Sequence, residues 1–544
     1  MTTPIPLQDL KAQTNALLTE IDTAVQRVLA SGWYRHAKWS LFFATLPPLA
    51  ASLLLPVGET STLSWLLLGS QLGTNAVTQW LLPAAALVWA AAALHHAHTA
   101  TAGTPIERFR LFFLLAMSGN LLLLLAQDAI TFYVGYAMMG LAGYGLIRDR
   151  HSTNARVAAG TYLRWTIAGE LLLFSGLLSL AHDTGSTLLP LSDTAMLSAW
   201  TLVLLISGFG IKIGLPGLHA WMPGTYSASS TAGSAVFSGA MANAGVLGLM
   251  YFLPLQQEGY ATAGMLLLTY GLVGAFYGVL LGLPQRRPKV ILAYSSVSQL
   301  GTLAAMIGLA LMAPDLAPAL IVAVTVYAVH HGLTKGALFL VLDSLGHPRW
   351  SSLSIAALTV LSLMMAGLPY TSGAVAKGLM KEAIGDGYTW LVTLLTIAGI
   401  ATTLLMTCFV FACLAPSRKA NSTPFWAAAG MALFLLIVAH GALYQVSPLP
   451  TLSAQAIWPL GIAMVLMIAF AMLPPRADWA LQPVIPKGDL PNLLAKALLR
   501  LVGRHPLKPI LATLRDRLSS IQSTTGTSAS ARVEGAPSGG GRKS

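Results

Sequence analysis

From about residue 38 to residue 474 the sequence is a succession of fourteen apolar runs, most of them close to the length of about 17–25 residues that carries a helix across a bilayer. They lie near 38–56, 77–96, 110–126, 128–147, 160–181, 197–214, 231–253, 261–283, 289–311, 317–342, 353–384, 389–413, 424–445 and 456–474. Nothing else in the chain restricts the fold so strongly. Backbone inside hydrocarbon must satisfy its own polar groups, and helices do this within a single segment. Composition agrees: 55% of the residues are hydrophobic and 9% charged, against roughly 25% charged in soluble proteins, and mean hydropathy is +0.69. The expectation is an all-α polytopic membrane protein with one integral domain over 38–474, a preceding segment 1–37 and a tail 475–544.

The loops sort by charge. One set holds Arg108, Arg110, Arg148, Arg150, Arg156, Arg286, Arg287, Lys289, Arg349, Arg418 and Lys419. The alternate loops hold Glu59, Asp183, Asp193, Glu258, Asp315 and Asp386, without a lysine or arginine. The positive-inside rule makes the first set cytoplasmic. An even number of spans then brings both termini to the cytoplasm, as expected for a multi-pass protein of a bacterial inner membrane. No basic stretch with an immediate apolar core precedes residue 38, so no signal peptide is expected.

The ends differ from the middle. Within residues 7–29, Leu10, Leu17, Ile21, Val25 and Val28 recur at helical spacing, the pattern of an amphipathic helix on a membrane or partner surface. Beyond Pro475 the tail carries 11 Lys/Arg against 4 Asp/Glu, so +7 of the formal +12 lies there. Interleaved basic and apolar residues in this tail suit anionic lipid headgroups and not nucleic acid. Its last twenty residues, rich in Ser, Thr, Gly and Ala, have a disordered composition.

Three lysines, Lys212, Lys335 and Lys377, fall inside apolar spans. A charge at bilayer depth costs roughly 2.5–3.5 kcal/mol even on a lenient insertion scale, so it marks a pathway, a partner or a switch. Two of them adjoin breaks: FGIKIGLPGLHAWMP at 209–223 and MMAGLPYTSGAVAKGLMKE at 364–382 both join Gly-Leu-Pro to a buried lysine. Paired broken helices point to an ion or substrate site near the midplane. The same tripeptide at Gly282-Leu283-Pro284 falls at a helix end. For Lys212 the plainer alternative is a cation capping the carbonyls freed at Pro216. For Lys377 it is a structural ion cluster with Lys381 and Glu382. His331 precedes Lys335 by one helical turn on the same face, and a neutral imidazole there suits proton relay.

Other residues carry less. His95, His96 and His98 fall in a short cytoplasmic loop without a neighbouring Cys and read as interfacial residues before metal ligands. His219 and Trp221 read as packing and interfacial residues. Cys408 and Cys413, five apart in one apolar run, give neither a disulfide framework nor a metal spacing. No nucleotide-binding glycine pattern, haem motif or hydrolytic triad is present. Hence no catalytic residue, metal site or cofactor is expected in this chain.

Four segments in order resemble the antiporter-type subunits shared by respiratory complex I, Mrp cation/proton antiporters and membrane-bound hydrogenases. KIGLPGLHAWMPGTYSASSTAGSAVFSGAMANAGVLGL resembles the stretch in which a lysine leads a broken helix into a Leu-His-x-Trp-x-Pro run. KVILAYSSVSQLG, HHGLTKGALFL and GLPYTSGAVAKGLMKE resemble the segments that follow it. The resemblance implies two inverted five-helix repeats containing broken helices, threaded by a polar axis. In that axis Lys212 matches the first-repeat lysine, Lys335 with His331 the connecting pair and Lys377 the second-repeat lysine. His330, Lys381 and Glu382 are secondary candidates.

This sequence also departs from the pattern. Where relatives have Trp-Glu it has Tyr136 and Ala137, and where they often carry a further lysine or histidine it has Asn243 or Ser238. Glu170 falls where some relatives carry an aspartate, and either replaces the missing acid as partner of Lys212 or occupies a solvated exit. The implied function is proton translocation, with or without Na+ exchange, along Glu170–Lys212–Lys335/His331–Lys377. The chain would act as a translocase subunit beside other membrane subunits, any redox cofactors lying in those. Two rivals remain: the membrane subunit of a DAB-type inorganic-carbon uptake complex with a cytoplasmic zinc partner, and a non-conducting scaffold.

Overall fold

The computed structural model describes residues 39–67, 69–99, 106–148, 153–189, 196–346 and 351–414, together with Ile462. The expected amphipathic segment within 7–29, the spans near 424–445 and 456–474, the loop residues Arg150, Asp193, Arg349, Arg418 and Lys419, and the basic tail lie outside the described residues. Every other expected span is helical. The first four are α1 (Ser40–Leu54), α2 (Thr78–Thr99), α3 (Ile106–Leu125) and α4 (Ala129–Arg148). After them come α5 (Thr153–Thr184), α6 (Ala199–Ile213), α7 (Trp221–Ala228), α8 (Thr231–Val236) and α9 (Asn243–Phe252). The series continues with α10 (Ala261–Gly282), α11 (Pro288–Met312), α12 (Ala317–Val341), α13 (Ser351–Ala366), α14 (Ser372–Ile384) and α15 (Thr389–Leu414). A π-helical turn, Phe237–Met241, joins α8 to α9. Among the described residues nine helical stretches are long and apolar enough to cross a membrane, the α8–α9 unit counted as one.

Among the described residues one element of regular structure is not helical. Strands β1 (Thr60–Leu63) and β2 (Ser70–Gly73) form an antiparallel hairpin between α1 and α2, with Thr60 opposite Gly73 and Leu63 opposite Ser70. Asp128 fastens it to α4. One carboxylate oxygen accepts from the Gln71 amide at 2.9 Å and the other caps the Thr131 amide at 2.8 Å. At the far end of α5, Asp183 accepts from the Ser198 amide at 2.8 Å and the Thr201 hydroxyl at 2.6 Å, fixing the start of α6.

Burial separates the centre of the bundle from its rim. The apolar stretches of α8–α9 and α11 are each 94% buried, whereas those of α15 and α5 are 33% and 39% buried. On α5, Ile167, Leu171, Phe174 and Leu178 are exposed at helical spacing, the face expected to meet lipid. Glu170 on the same helix is buried, so it points inward. Helices α10 and α11 pack backbone against backbone. A Cβ on Gly264 would stand 2.5 Å from the Met312 nitrogen, and one on Gly278 would stand 2.6 Å from the Ser298 nitrogen. Small residues in register permit this closeness where no hydrophobic effect drives association.

The two Gly-Leu-Pro breaks are built alike. At the end of α6, Gly214 takes φ +73°; its amide and that of Leu215 both return to the Gly210 carbonyl, at 2.9 and 3.0 Å. At the end of α13, Gly367 takes φ +95°; its amide and that of Leu368 both return to the Leu363 carbonyl, each at 3.0 Å. Both are glycine-terminated Schellman ends, and the following proline prevents the helix from resuming. The expected span 353–384 is thus two helices, and 197–214 continues across its break into α7.

Candidate functional site

Lys212 lies in the last turn of α6 and is buried. Its amine sits 5.3 Å from the centre of the Tyr136 ring. A small cavity is lined by Lys212, Glu170, Tyr136, Tyr162, Thr166 and Trp221, among others. Among the described residues Lys212 and Glu170 form no ion pair within 4.0 Å, so they share this cavity without direct contact of their charged ends. Among the described residues no hydrogen bond is made by the Oε2 atom of Glu170. The carboxyl reaches this position because α4 has no side chain in the way: a Cβ on Gly140 would lie 2.7 Å from its Oε1 atom. Gly140 follows Ala137 by one turn, so α5 supplies a carboxylate beside the part of α4 where the resemblance would place one.

Lys212 does not cap the carbonyls of its own break. The Trp221 indole does so, donating to the Ile211 carbonyl at 2.7 Å, and the Tyr270 hydroxyl donates to the Pro216 carbonyl. Trp221 and His219 are therefore buried packing and hydrogen-bonding residues and not interfacial ones. The capping arrangement appears instead at the second break. There Lys377 of α14 donates to the Met365 carbonyl at 3.0 Å and the Ala366 carbonyl at 2.7 Å. Lys381 and Glu382 form no ion pair with it within 4.0 Å, so the expected cluster is absent among the described residues.

Between the breaks lies α12. Lys335 is fully buried and donates to the Leu292 carbonyl of α11 at 2.9 Å. Ser296 donates to the same carbonyl at 3.1 Å and pairs with Ser238 of the π-helical turn at 3.0 Å. His331 is fully buried, and neither of its ring nitrogens has a hydrogen-bond partner among the described residues. His330, a secondary candidate in the sequence, is the histidine that reaches α14: its Nδ1 lies 2.9 Å from the Ser372 hydroxyl. The Tyr327 hydroxyl bonds Gln299, whose amide donates to Thr402 of α15 at 3.0 Å. Asn243 donates to the Ala328 carbonyl at 3.0 Å, tying α9 to α12.

The three histidines near residue 96 lie within α2 and not in a loop. His95 is buried, with Nε2 3.5 Å from Asp343. His96 stacks on Phe109 at 4.3 Å and His98 meets Trp39 edge-on at 4.8 Å. Among the described residues no group of three or more His, Cys, Asp or Glu is arranged to hold a metal. The Ser238–Ser296 pairing, the capping role of Trp221 and the Gln299 link were not read from sequence. Ser296 and Gln299 stand in AYSSVSQLG, Trp221 in LHAWMP and Ser238 where relatives often carry a lysine or histidine, segments that gave a family likeness but not these contacts.

Residues 126–405, just over half of the chain, match the family described as NADH:quinone oxidoreductase/Mrp antiporter, TM. Hydrogenase-4 component B of Escherichia coli K12 is 28% identical over 300 residues, which are 51% of this chain and 44% of that protein. NADH-ubiquinone oxidoreductase chain 5 of Pelomedusa subrufa is 26% identical over 299 residues, covering 51% of this chain and 47% of the other. The chain thus matches less than half the length of these relatives. Among solved structures, the Mrp complex from Dietzia sp. DQ12-45-1b contains a chain that superposes with a TM-score of 0.72 at 21% identity. That alignment covers 96% of this chain and 63% of the other, and speaks for the fold.

Proposed function

The chain belongs to the NADH:quinone oxidoreductase/Mrp antiporter family of transmembrane proteins, and on that premise we propose that it moves protons through the membrane along Glu170, Lys212, Lys335 with His331, and Lys377. It works in this reading as one subunit of a larger complex in a bacterial inner membrane. Partner subunits hold any redox cofactors, and Na+ is a candidate counter-ion.

The observation that carries the proposal is the cavity shared by Glu170 and Lys212. An amine and a carboxylate kept together away from lipid each set the other's hold on a proton, through charge and through desolvation. Widening or closing the gap between them changes which group is charged. A cavity between them admits the water or small movement that such a switch needs. His330 supports continuity into the second half by touching the first turn of α14.

The test is proton flux in vesicles carrying the assembled complex. Lys212→Ala and Lys377→Ala are expected to abolish flux with assembly intact, and Glu170→Gln, which keeps shape and removes charge, to slow it about a hundredfold, the low end for loss of a proton-transferring group. A parent protein that passes no protons while both lysine variants still assemble would identify a scaffold. Normal flux in Glu170→Gln would remove the acid from the pathway.

A further inference from the structure

Arg164 stands on the outward face of α5. It is exposed and continues, toward the start of the helix, the stripe of Ile167, Leu171, Phe174 and Leu178. A charge in a membrane-crossing helix is costly, and such residues ordinarily turn inward or find a partner. Arg164 does not turn inward. Among the described residues it forms no ion pair within 4.0 Å. Its guanidinium donates to the Thr161 hydroxyl at 3.2 Å, which steadies the group without neutralising it.

A second arginine faces the same way. Arg156 is exposed, about two turns before Arg164. Gly160 lies midway between them in the chain, and helical geometry sets the two arginines about 40° to either side of it. A Cβ on Gly160 would meet nothing within 4 Å, so a notch opens outward between the two basic positions. No acidic residue occurs from Thr153 to Gly169. Two planar guanidinium groups flanking an open notch suit a phosphate, whose oxygens accept from the paired N–H groups of each.

Depth identifies the source of the phosphate. Helix α5 has 32 residues and rises about 48 Å, against about 30 Å of hydrocarbon. With the surplus shared between its ends, the hydrocarbon begins about six residues into the helix, beside Gly160. Arg156 then lies among the headgroups. Arg164 starts inside the hydrocarbon, and its side chain turns back toward the headgroups, as its bond to Thr161 shows. This end of α5 adjoins the basic loops, so the positive-inside rule gives it to the cytoplasmic leaflet, where anionic lipids collect.

We propose that Arg156 and Arg164, with the Gly160 notch between them, bind the phosphate of an anionic phospholipid in the cytoplasmic leaflet, its acyl chains running along Ile167 and Leu171. A lipid fits better than a carboxylate from a partner subunit, because the charges stop where the hydrocarbon begins and the apolar stripe continues from there. Headgroup lies over charge and chain over apolar surface. This site is separate from the transport pathway and does not depend on it.

The test uses the complex isolated with its full-length chain and placed in vesicles containing phosphatidylglycerol that carries a photoactivatable diazirine near the glycerol end of one acyl chain. Labelled peptides are read by mass spectrometry. Labelling is expected on α5 around residues 160–171, and to fall about fivefold in Arg156→Gln and in Arg164→Gln, the effect of one basic residue at an anionic surface. The double variant is expected to fall further than either. Gly160→Leu, which keeps both charges and fills the notch, is expected to lose label as well. Arg164→Lys is expected to keep more than Arg164→Gln, and Arg287→Gln, exposed elsewhere at the same end, to change nothing. Equal labelling in parent and double variant would overturn the site, as would equal labelling by phosphatidylcholine carrying the same diazirine. An unlabelled α5 in the parent, with a partner subunit lost from Arg164→Gln, would assign this face to a protein interface instead.

Discussion

Gly140 matters for what its missing side chain lets in. The Glu170 carboxyl fills that space, so a methyl group at residue 140 must push the carboxylate away from its present position. The carboxylate is the far end of a flexible side chain, so Gly140→Ala is expected to fold normally and yet slow proton flux to the level of Glu170→Gln. The double variant is expected to be no slower than either, since both changes act on one group; a flux assay on the three variants checks this. At this scale the charged residues were legible in the sequence, because Lys212, Lys335, Lys377 and Glu170 stand out against apolar neighbours. Even the substitution of Glu170 for an acid at Ala137 was readable as a hypothesis. Ser238 was named as one place of a missing lysine or histidine, but its pairing with Ser296 was not legible. Serine is common in membrane helices as a small packing residue, and only the approach of α11 to the π-helical turn brings these two hydroxyls together.

The two broken helices show how far local sequence determines an element. Glycine at the Schellman position and proline two residues later fix the break wherever they occur inside a span, so both breaks were legible. Gly282-Leu283-Pro284 lacks the left-handed glycine and closes α10 without a break. Gly367→Ala is expected to destabilise the protein by about 1–2 kcal/mol, the cost of forcing a side chain into left-handed backbone. Gly378→Ala on α14 is a control: nothing lies within 4 Å of its added methyl group, and it is expected to be neutral or mildly stabilising. Thermal unfolding in detergent distinguishes the two. What completes each break was not legible although both residues stand in the quoted segments: the spacing does not tell that Trp221 folds back on the Ile211 carbonyl and Lys377 on those of Met365 and Ala366. The hairpin of β1 and β2 was hidden for a different reason. Its Ser, Thr and Gly residues read as loop, and it is held by Asp128, more than fifty residues away.

For the molecule as a whole, alternation of basic and acidic loops remains the guide to orientation. Helix α10 separates Glu258 from Arg286, both exposed, and its 22 residues rise about 33 Å, enough to cross the hydrocarbon core. An impermeant thiol reagent is expected to label Glu258→Cys in intact cells and Arg286→Cys only after the membrane is opened. Labelling in the reverse order would invert the topology. Most of the bundle was legible at this scale, since helix length and hydropathy report directly on the bilayer. Which helices lie at the centre was not, because hydropathy does not rank burial: α15 is the most apolar of α5, α11 and α15 and yet the least buried. One asymmetry spans the molecule. The first break is tied by an indole that never ionises, the second by an amine whose grip on two peptide oxygens weakens when it gives up its proton. Alike in backbone, the two halves therefore differ as a weld differs from a latch: only in the second would discharging a side chain also loosen the joint.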